Sequence, residues 1–156
     1  MQGNEVVIGR LNDLLSLELS AINQYLAHSK MCQNWGYERL AERFRQISLE
    51  EMKDAEEIIE RVLFLDGRPR MVQPSGVTIG PTVPEQLRSA LETEREALSL
   101  LRQGIATALD VDDQATREFL AGRLPDEEGH VEWLETQLSL IDSIGEANYL
   151  AQQLHA

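Results

Sequence analysis

Four long segments of this chain repeat their apolar residues at spacings of three and four, the period of an α-helix with one buried face. A shorter fifth segment follows them. The predicted helices run from about Glu5 to Asn34, Tyr37 to Asp66, Pro84 to Asp110, Asp113 to Ser143 and Glu146 to Gln153. Four apolar stripes of this length must be buried against one another, so the sequence predicts an all-α four-helix bundle with a short fifth helix at its C-terminal end.

One connection is much longer than the others. The segment from Gly67 to Val83 contains Pro74, Pro81, Gly76 and Gly80, and it is long for an ordinary loop. About 17 extended residues reach about 56 Å, whereas a helix of about 29 residues is about 43 Å long. The segment can therefore cross the length of the bundle, so that helices two and three point the same way.

Two residues conflict with continuous helices. Pro125 lies inside the predicted fourth helix, where it should remove a hydrogen bond and kink the helix. Gly104 should weaken the third helix near its end, because glycine is a poor helix former.

The charge and cysteine content narrow the class of protein. A net charge of −13 argues against sequence-independent binding to nucleic acids or anionic membranes. A single cysteine, Cys32, cannot form an internal disulfide, which favours a reducing compartment. No apolar run approaches the roughly 18 residues of a membrane span, and the N-terminus lacks the pattern of a signal peptide. We therefore predict a soluble cytoplasmic protein.

Each of the four long helices carries one glutamate within its apolar stripe. Glu18, for example, lies three residues after Leu15 and four before Ile22. A single glutamate in such a position is usually solvated, but four at compatible depth would be buried together at a cost of several kcal/mol each. No lysine or arginine lies in these stripes, so a pair of metal ions is the simplest counterion. The four residues are Glu18, Glu51, Glu94 and Glu127.

A histidine lies one helical turn beyond one of these glutamates. Glu127 and His130 form a Glu-x-x-His pair, and di-iron bundles combine two such pairs with one glutamate from each of two other helices. The matching pair that begins at Glu51 ends in Asp54 instead of histidine. An isolated buried histidine is more often a hydrogen-bonded core residue, but the position of His130 beside Glu127 favours a metal ligand.

Four stretches of the sequence extend this pattern beyond the ligand positions. They are AINQYLAHSKM, EEMKDAEEIIERVLFLDGRP, DEEGHVEWLETQLSLI and ANYLAQQL. In these stretches the chain resembles the bacterioferritins, over essentially its whole length. The resemblance implies a single ferritin-like domain over residues 1–156 and assembly into hollow cages of 24 subunits. It also implies ferroxidase activity, in which Fe(II) is oxidised by oxygen or peroxide at an intra-subunit di-iron centre, and storage of ferric mineral in the cage.

The resemblance also assigns roles to individual residues. It places the di-iron ligands, which are the catalytic residues, at Glu18, Glu51, Glu94, Glu127 and His130, with Asp54 at the sixth position. It implies haem b between two-fold-related subunits, with Met52 from each subunit as an axial ligand. Met52 follows Glu51 by about 100° around the helix and should point away from the metal ions, although a helical methionine is more often a packing residue. Tyr25 and Asp126 are candidate partners of the ligands.

Several positions depart from the family pattern. Asp54 stands where the family has histidine, Gln46 and Glu50 stand where it can carry histidine and aspartate, and Pro125 is unexpected. An aspartate oxygen and a histidine Nδ1 are both three bonds from Cα, so Asp54 can reach about the same point. Five carboxylates and one neutral histidine carry −5, which leaves −1 with two Fe(II), and the extra oxygen ligand favours Fe(III). We therefore predict an altered ferroxidase site that releases its ferric product slowly.

Three functions remain open from the sequence. The first is a homo-oligomeric iron-storage subunit with haem and an altered ferroxidase site. The second is a mainly structural, haem-carrying subunit that co-assembles with a second, ferroxidase-competent bacterioferritin subunit. The third is another di-metal carboxylate enzyme, such as a peroxidase or oxygenase, which would need a substrate pocket. Met52 and the fifth helix favour the first two.

Overall fold

A computed structural model describes residues 1–72 and 77–156 of the chain. The residues it describes form α-helices and no β-strand, as predicted. The helices are α1 (Glu5–Trp35), α2 (Glu38–Phe64), α3 (Val83–Asp110), α4 (Gln114–Ala121), α5 (Leu124–Ile144) and α6 (Glu146–Ala151). α1 packs on α2 and α3, and α3 packs on α4 and α5, so that α4 and α5 together form the fourth long arm of the bundle. The prediction of an all-α bundle with a short C-terminal helix is confirmed.

The helix ends follow local signals in the sequence. Asn4 caps α1, because its side-chain oxygen accepts hydrogen bonds from the backbone N–H groups of Val6 and Val7. Gly36 ends the same helix in the left-handed conformation, with φ of 90°. Thr82 caps α3, with a proline in the first turn of that helix. These boundaries agree with the predicted ones to within a few residues.

The long connection between α2 and α3 lies along α1. The side chain of Asn12 on α1 makes two hydrogen bonds to this connection. It donates to the carbonyl of Arg68 and accepts from the N–H of Arg70. Further along α1, Gln24 donates to the carbonyl of Thr78. The contacts made by Asn12 and Gln24 are separated by about 18 Å of helix at 1.5 Å per residue, so the connection crosses the bundle lengthwise. Pro74 and Gly76, which entered the prediction, lie outside the described residues.

The predicted continuous fourth helix is wrong. α4 ends at Ala121, Gly122 and Arg123 form a turn, and α5 begins at Leu124. Pro125 therefore lies in the first turn of a helix, where a missing N–H removes no intrahelical hydrogen bond. Pro125 therefore occupies the start of a new helix, just after the point where the predicted helix is interrupted.

Gly104 has a packing role that its helix propensity does not reveal. A Cβ at this position would lie 2.8 Å from Cδ1 of Leu120, so the missing side chain allows α4 to approach α3 closely. Leu120 is almost fully buried at this contact.

The apolar core is divided into two clusters along the bundle axis. One cluster, at the end where α1 finishes, includes Tyr25, Phe44 and Leu134. The other, at the opposite end, includes Leu11 and Ile58. On each long arm, the glutamate predicted to be buried lies between the stretch that enters one cluster and the stretch that enters the other. We call this polar layer the seam, and it contains Glu18, Glu51, Glu94, Glu127 and His130.

No helix in the described part of the chain is both long and apolar enough to cross a bilayer.

Candidate metal centre

The four predicted glutamates are buried in the seam. Their exposed fractions are between 1% and 3%, and that of His130 is 5%. Each glutamate comes from a different arm of the bundle, because each occupies the apolar stripe of its own helix. Packing of the four stripes therefore forces the carboxylates together, at positions Glu18, Glu51, Glu94 and Glu127.

The buried side chains form two overlapping groups with the spacing of metal ligands. In one group, ligand atoms of Glu51, Glu94, Glu127 and His130 all lie within 4.8 Å of one another. In the other, the same is true of Glu18, Glu51, Asp54 and Glu127. Glu51 and Glu127 belong to both groups, which is the arrangement that two adjacent ions sharing two carboxylates require. All six predicted ligand positions are thus brought together, Asp54 included.

Several atoms in the seam have no hydrogen-bond partner within the described residues, although they are buried from solvent. They are Oε2 of Glu18, Oε1 of Glu51, Oε2 of Glu94, Oε2 of Glu127 and Nδ1 of His130. His130 Nδ1 lies 3.2 Å from Glu51 Oε1 and 3.4 Å from Glu94 Oε2, but not in hydrogen-bonding geometry. Buried polar atoms normally have partners. Carboxylate oxygens and an imidazole nitrogen that converge without partners fit iron or a similar divalent ion.

A carboxylate outside the ligand groups orients His130. Nε2 of His130 lies 2.9 Å from Oε2 of Glu50, and Arg43 lies 3.7 Å from the other oxygen of Glu50. A ligand histidine commonly donates its second ring N–H to a carboxylate, which fixes the ring and the tautomer. Nδ1 is then the atom that faces the seam. Sequence reasoning had identified Glu50 only as a departure from the family pattern, and had not identified Arg43.

Tyr25 contacts the metal centre as predicted for a partner of the ligands. Its hydroxyl donates to Oε1 of Glu94 at 2.9 Å, and the side chain is fully buried. The ring packs against Phe44, with 5.8 Å between centroids. Burial and the adjacent Glu94 raise the pKa of Tyr25 well above its usual value, so the phenol stays protonated and keeps Glu94 Oε1 in one position.

The carboxylates compete for protons. Burial and the neighbouring Glu94 raise the pKa of Glu51 to about 8. Burial and Glu94 also raise the pKa of Glu127 to about 12. Burial acts on Glu94 in the same direction, but close contacts with Glu127 and His130 and the hydrogen bond from Tyr25 outweigh it, and the pKa of Glu94 is lowered. Glu127 therefore holds the proton and Glu94 the charge, and a cation that enters the seam must displace protons.

His130 contributes positive charge to the same balance. Burial lowers its pKa, but the contacts with Glu51 and Glu94 outweigh burial and raise the pKa to about 11. A protonated His130 neutralises part of the carboxylate charge in the metal-free protein, and it must lose its Nδ1 proton to bind a metal ion.

Asp54 is half-buried and lies at the edge of the seam. Burial raises its pKa, and the positive charge of Arg123 opposes this. With Asp126 and His130, Asp54 lines a cavity of about 580 Å³ between α2 and the start of α5. Asp126 thus lies at this cavity and is absent from both ligand groups.

Gln46 is exposed, and it belongs to neither ligand group in the part of the chain that is described.

Met52 points away from the metal centre, as its position on α2 predicts. Its side chain is 47% exposed. It lines a second cavity, of about 420 Å³, together with Leu19, Ile22, Ala55 and Ile59. The lining is mainly apolar and carries a thioether sulfur, which fits one half of a haem site.

Comparisons with known proteins agree with this geometry. Residues 8–144 match the ferritin-like domain family. The chain is 43% identical to a bacterioferritin of Mycobacterium leprae and to bacterioferritin BfrA of Mycobacterium tuberculosis, each over 97% of this chain and 96% of the relative. The chain belongs to the bacterioferritin family. A bacterial ferritin of Neisseria gonorrhoeae is also 43% identical, over 99% of this chain and the whole of the relative.

Membership of the bacterioferritin family supports iron storage and iron binding by this chain. The family as a whole oxidises iron and assembles into cages. The buried group of carboxylates and histidine is compatible with a metal site. Two contacts with α2 were not indicated by any spacing in the sequence. One joins Glu50 to His130, and the other joins Glu57 to Arg123.

Proposed function

We propose that this chain oxidises Fe(II) at an intra-subunit centre for two ions and stores ferric mineral in a cage of 24 subunits. The observation that carries the proposal is the overlap of the two ligand groups at Glu51 and Glu127. In this assignment, Glu18 and Asp54 would hold one ion, Glu94 and His130 would hold the other, and Glu51 and Glu127 would serve both.

The protein's contribution is to fix the ligands and exclude water. A bound pair of iron ions supplies two electrons, one from each Fe(II), to oxygen or peroxide. Burial of the four glutamates keeps water from competing for the ligand positions. Glu50 holds the ring of His130, and the Tyr25 hydroxyl holds Glu94. Metal binding displaces the protons on Glu127, Glu51 and His130, which leaves the two carboxyl groups anionic and the imidazole neutral.

Asp54 makes this centre different from one with two histidines. Five carboxylates carry −5, so two Fe(II) leave a charge of −1 and two Fe(III) leave +1. The additional oxygen ligand favours the ferric product. We therefore propose a site that performs its first oxidation normally and releases its product slowly.

Haem b bound by Met52 is the second part of the proposal. The apolar cavity at Met52 is open on the surface of the subunit, and a second copy of the chain would complete it around a two-fold axis. Two thioether ligands, one from each subunit, would then lie on opposite faces of the haem.

The test compares rapid Fe(II) oxidation by the wild-type assembly with oxidation by two variants. Glu127→Ala should abolish saturable binding of two ions per subunit, because Glu127 belongs to both ligand groups. Asp54→His removes one negative charge and should raise the steady rate while changing the initial burst less. Glu132→Ala, an exposed change on the same helix, is the matched control. If wild type shows no burst and Asp54→His gains none, the proposed ferroxidase function is wrong.

A mainly structural, haem-carrying subunit is the second candidate function. It is favoured by Asp54, whose half-buried position distinguishes it from the other ligands, all of which are buried. Such a subunit would co-assemble with a second, ferroxidase-competent subunit and would show no burst alone. Mixed assembly with the ferroxidase-competent subunit would then restore oxidation, at a rate proportional to the fraction of that subunit in the assembly.

A further inference from the structure

Arg123 is fixed beside the metal centre by contacts on three sides. It lies in the turn between α4 and α5, and its Nη2 donates to Oε2 of Glu57 on α2. Its Nη1 donates to the carbonyl of Phe119 at 3.3 Å. Its guanidinium group lies over the ring of Phe119, with 3.9 Å to the centroid. Both Arg123 and Asp54 line the cavity of about 580 Å³ beside the seam.

The positive charge of Arg123 is not cancelled at Asp54 by the ion pair with Glu57. The side chain of Arg123 is 13% exposed, whereas that of Glu57 is 39% exposed and better screened by water. Nε of Arg123 is buried and has no hydrogen-bond partner among residues 1–72 and 77–156. Among the charges that act on the pKa of Asp54, the lowering by Arg123 is larger than the raising by Glu57 or Asp126.

We propose that Arg123 is a specificity-determining residue of the metal centre, a fixed cation that offsets the extra carboxylate of Asp54 and limits the preference for trivalent over divalent ions. This inference rests on the proposed centre for two ions. With Asp54, the ligands carry −5, and Arg123 brings the local charge to −4, the value that four carboxylates and two neutral histidines would give.

The expected effect follows from Coulomb's law. Repulsion between the guanidinium group and a bound ion grows with the charge of the ion, so it disfavours a trivalent ion more than a divalent one. For a separation of about 8–10 Å and an effective dielectric of about 20, one additional unit charge changes the ratio of the two affinities by roughly 20-fold. If Arg123 only positioned Asp54, its removal would weaken the binding of the divalent and the trivalent ion by about the same factor.

The experiment measures two affinities in the metal-free assembled protein. Co(II) is titrated by its visible absorption and Tb(III) by its luminescence. Binding that persists in Glu127→Gln is subtracted, because it belongs to other acidic positions. Arg123→Met should raise the Tb(III) to Co(II) affinity ratio roughly 20-fold, and Arg123→Lys should leave it near the wild-type value. The matched control is Arg95→Met, which removes an exposed arginine paired with Glu135 across α3 and α5.

Two further variants test whether charge is the cause. Asp54→His should lower the affinity ratio, and combining it with Arg123→Met should return the ratio to the wild-type value, since the double variant also has a local charge of −4. Glu57→Gln removes the charge of Glu57, which partly opposes that of Arg123, and should lower the ratio. If Arg123→Met does not assemble, the affinity ratio of Glu57→Gln tests the role of Arg123 in its place.

The outcomes separate this inference from the proposal on which it rests. An unchanged ratio in Arg123→Met, or parallel weakening of both ions, overturns the role of Arg123 while the metal centre stands. Wild-type protein that binds neither ion at two per subunit overturns the proposed centre, and this inference with it. A ratio that rises in Arg123→Met and returns in the double variant supports the inference.

Discussion

Glu127→Gln should stabilise the metal-free protein while it abolishes metal binding. Burial and Glu94 raise the pKa of Glu127 to about 12 from an ordinary value of 4.5. In the folded metal-free protein the side chain is therefore neutral at pH 7, whereas in the unfolded chain it is ionised. Glutamine is neutral in both states and has nearly the same shape.

The magnitude depends on the unfolded chain. Keeping a proton at pH 7 on a carboxyl group with an ordinary pKa of 4.5 costs 2.5 pKa units, or about 3 kcal/mol at 1.36 kcal/mol per unit. The glutamine variant avoids this cost. For a chain of this size, about 3 kcal/mol corresponds to an increase in Tm of about 6 to 12 °C.

The pH dependence gives the sign of the effect. A raised folded pKa means that the folded state binds the proton more tightly, so the stability contributed by the proton is present at low pH and is lost as pH rises from 4.5 toward about 12. The gap in unfolding free energy between Glu127→Gln and wild type should therefore shrink to about 1.4 kcal/mol at pH 5.5.

The assay is thermal unfolding of chelator-treated protein, followed by circular dichroism at pH 7 and pH 5.5, with haem content matched. Glu132→Gln is the control, because Glu132 is exposed on the same helix and should show no such gap. A lower Tm for Glu127→Gln at pH 7, or a gap that does not narrow at pH 5.5, would refute the reasoning.

Three other predictions follow from the structure and the family. Sedimentation should give a particle of roughly 24 times 17.6 kDa, and a monomer as the only stable form would contradict the proposed cage. Met52→Ala should remove the visible spectrum of bound haem without loss of assembly, and undiminished haem binding would exclude Met52 as its ligand. Glu50→Ala should weaken Co(II) at the His130 position by roughly 10- to 100-fold, since it removes the group that orients the ring. Asp126→Ala, a change at the same cavity, serves as the control, and equal affinities in these two variants would contradict the role of Glu50.

The part of the site that lies along single helices could be predicted from the sequence. Glu18, Glu51, Glu94 and Glu127 interrupt apolar stripes, and a stripe fixes which face is buried whatever the details of packing. His130 and Asp54 follow from the same period, one turn beyond a glutamate. The proposal that Met52 binds haem came only from the family resemblance, because a methionine on a helix surface has no distinct pattern.

The contacts between helices could not be predicted in the same way. Glu50 meets His130 from 80 residues away, and Arg123 meets Glu57 from 66 residues away, so no local spacing relates them. The turn at Gly122 and Arg123 was missed because Pro125 was interpreted as a defect within one helix. The cue was present, since proline is favoured in a first turn, but the apolar period continues across the turn and concealed it. The domain extent and the cellular location stay predictions.

The division of the core into two apolar clusters affects how the metal-free protein opens. The seam between them contains buried carboxylates and a histidine with unpartnered polar atoms, so it adds less stabilising apolar packing than the clusters on either side of it. We expect amide hydrogen exchange to reveal two units that open separately, one around Phe44 and Leu134 and one around Leu11 and Ile58. Ions bound by ligands from all four arms would couple these units, so that metal loading changes cooperativity as well as stability.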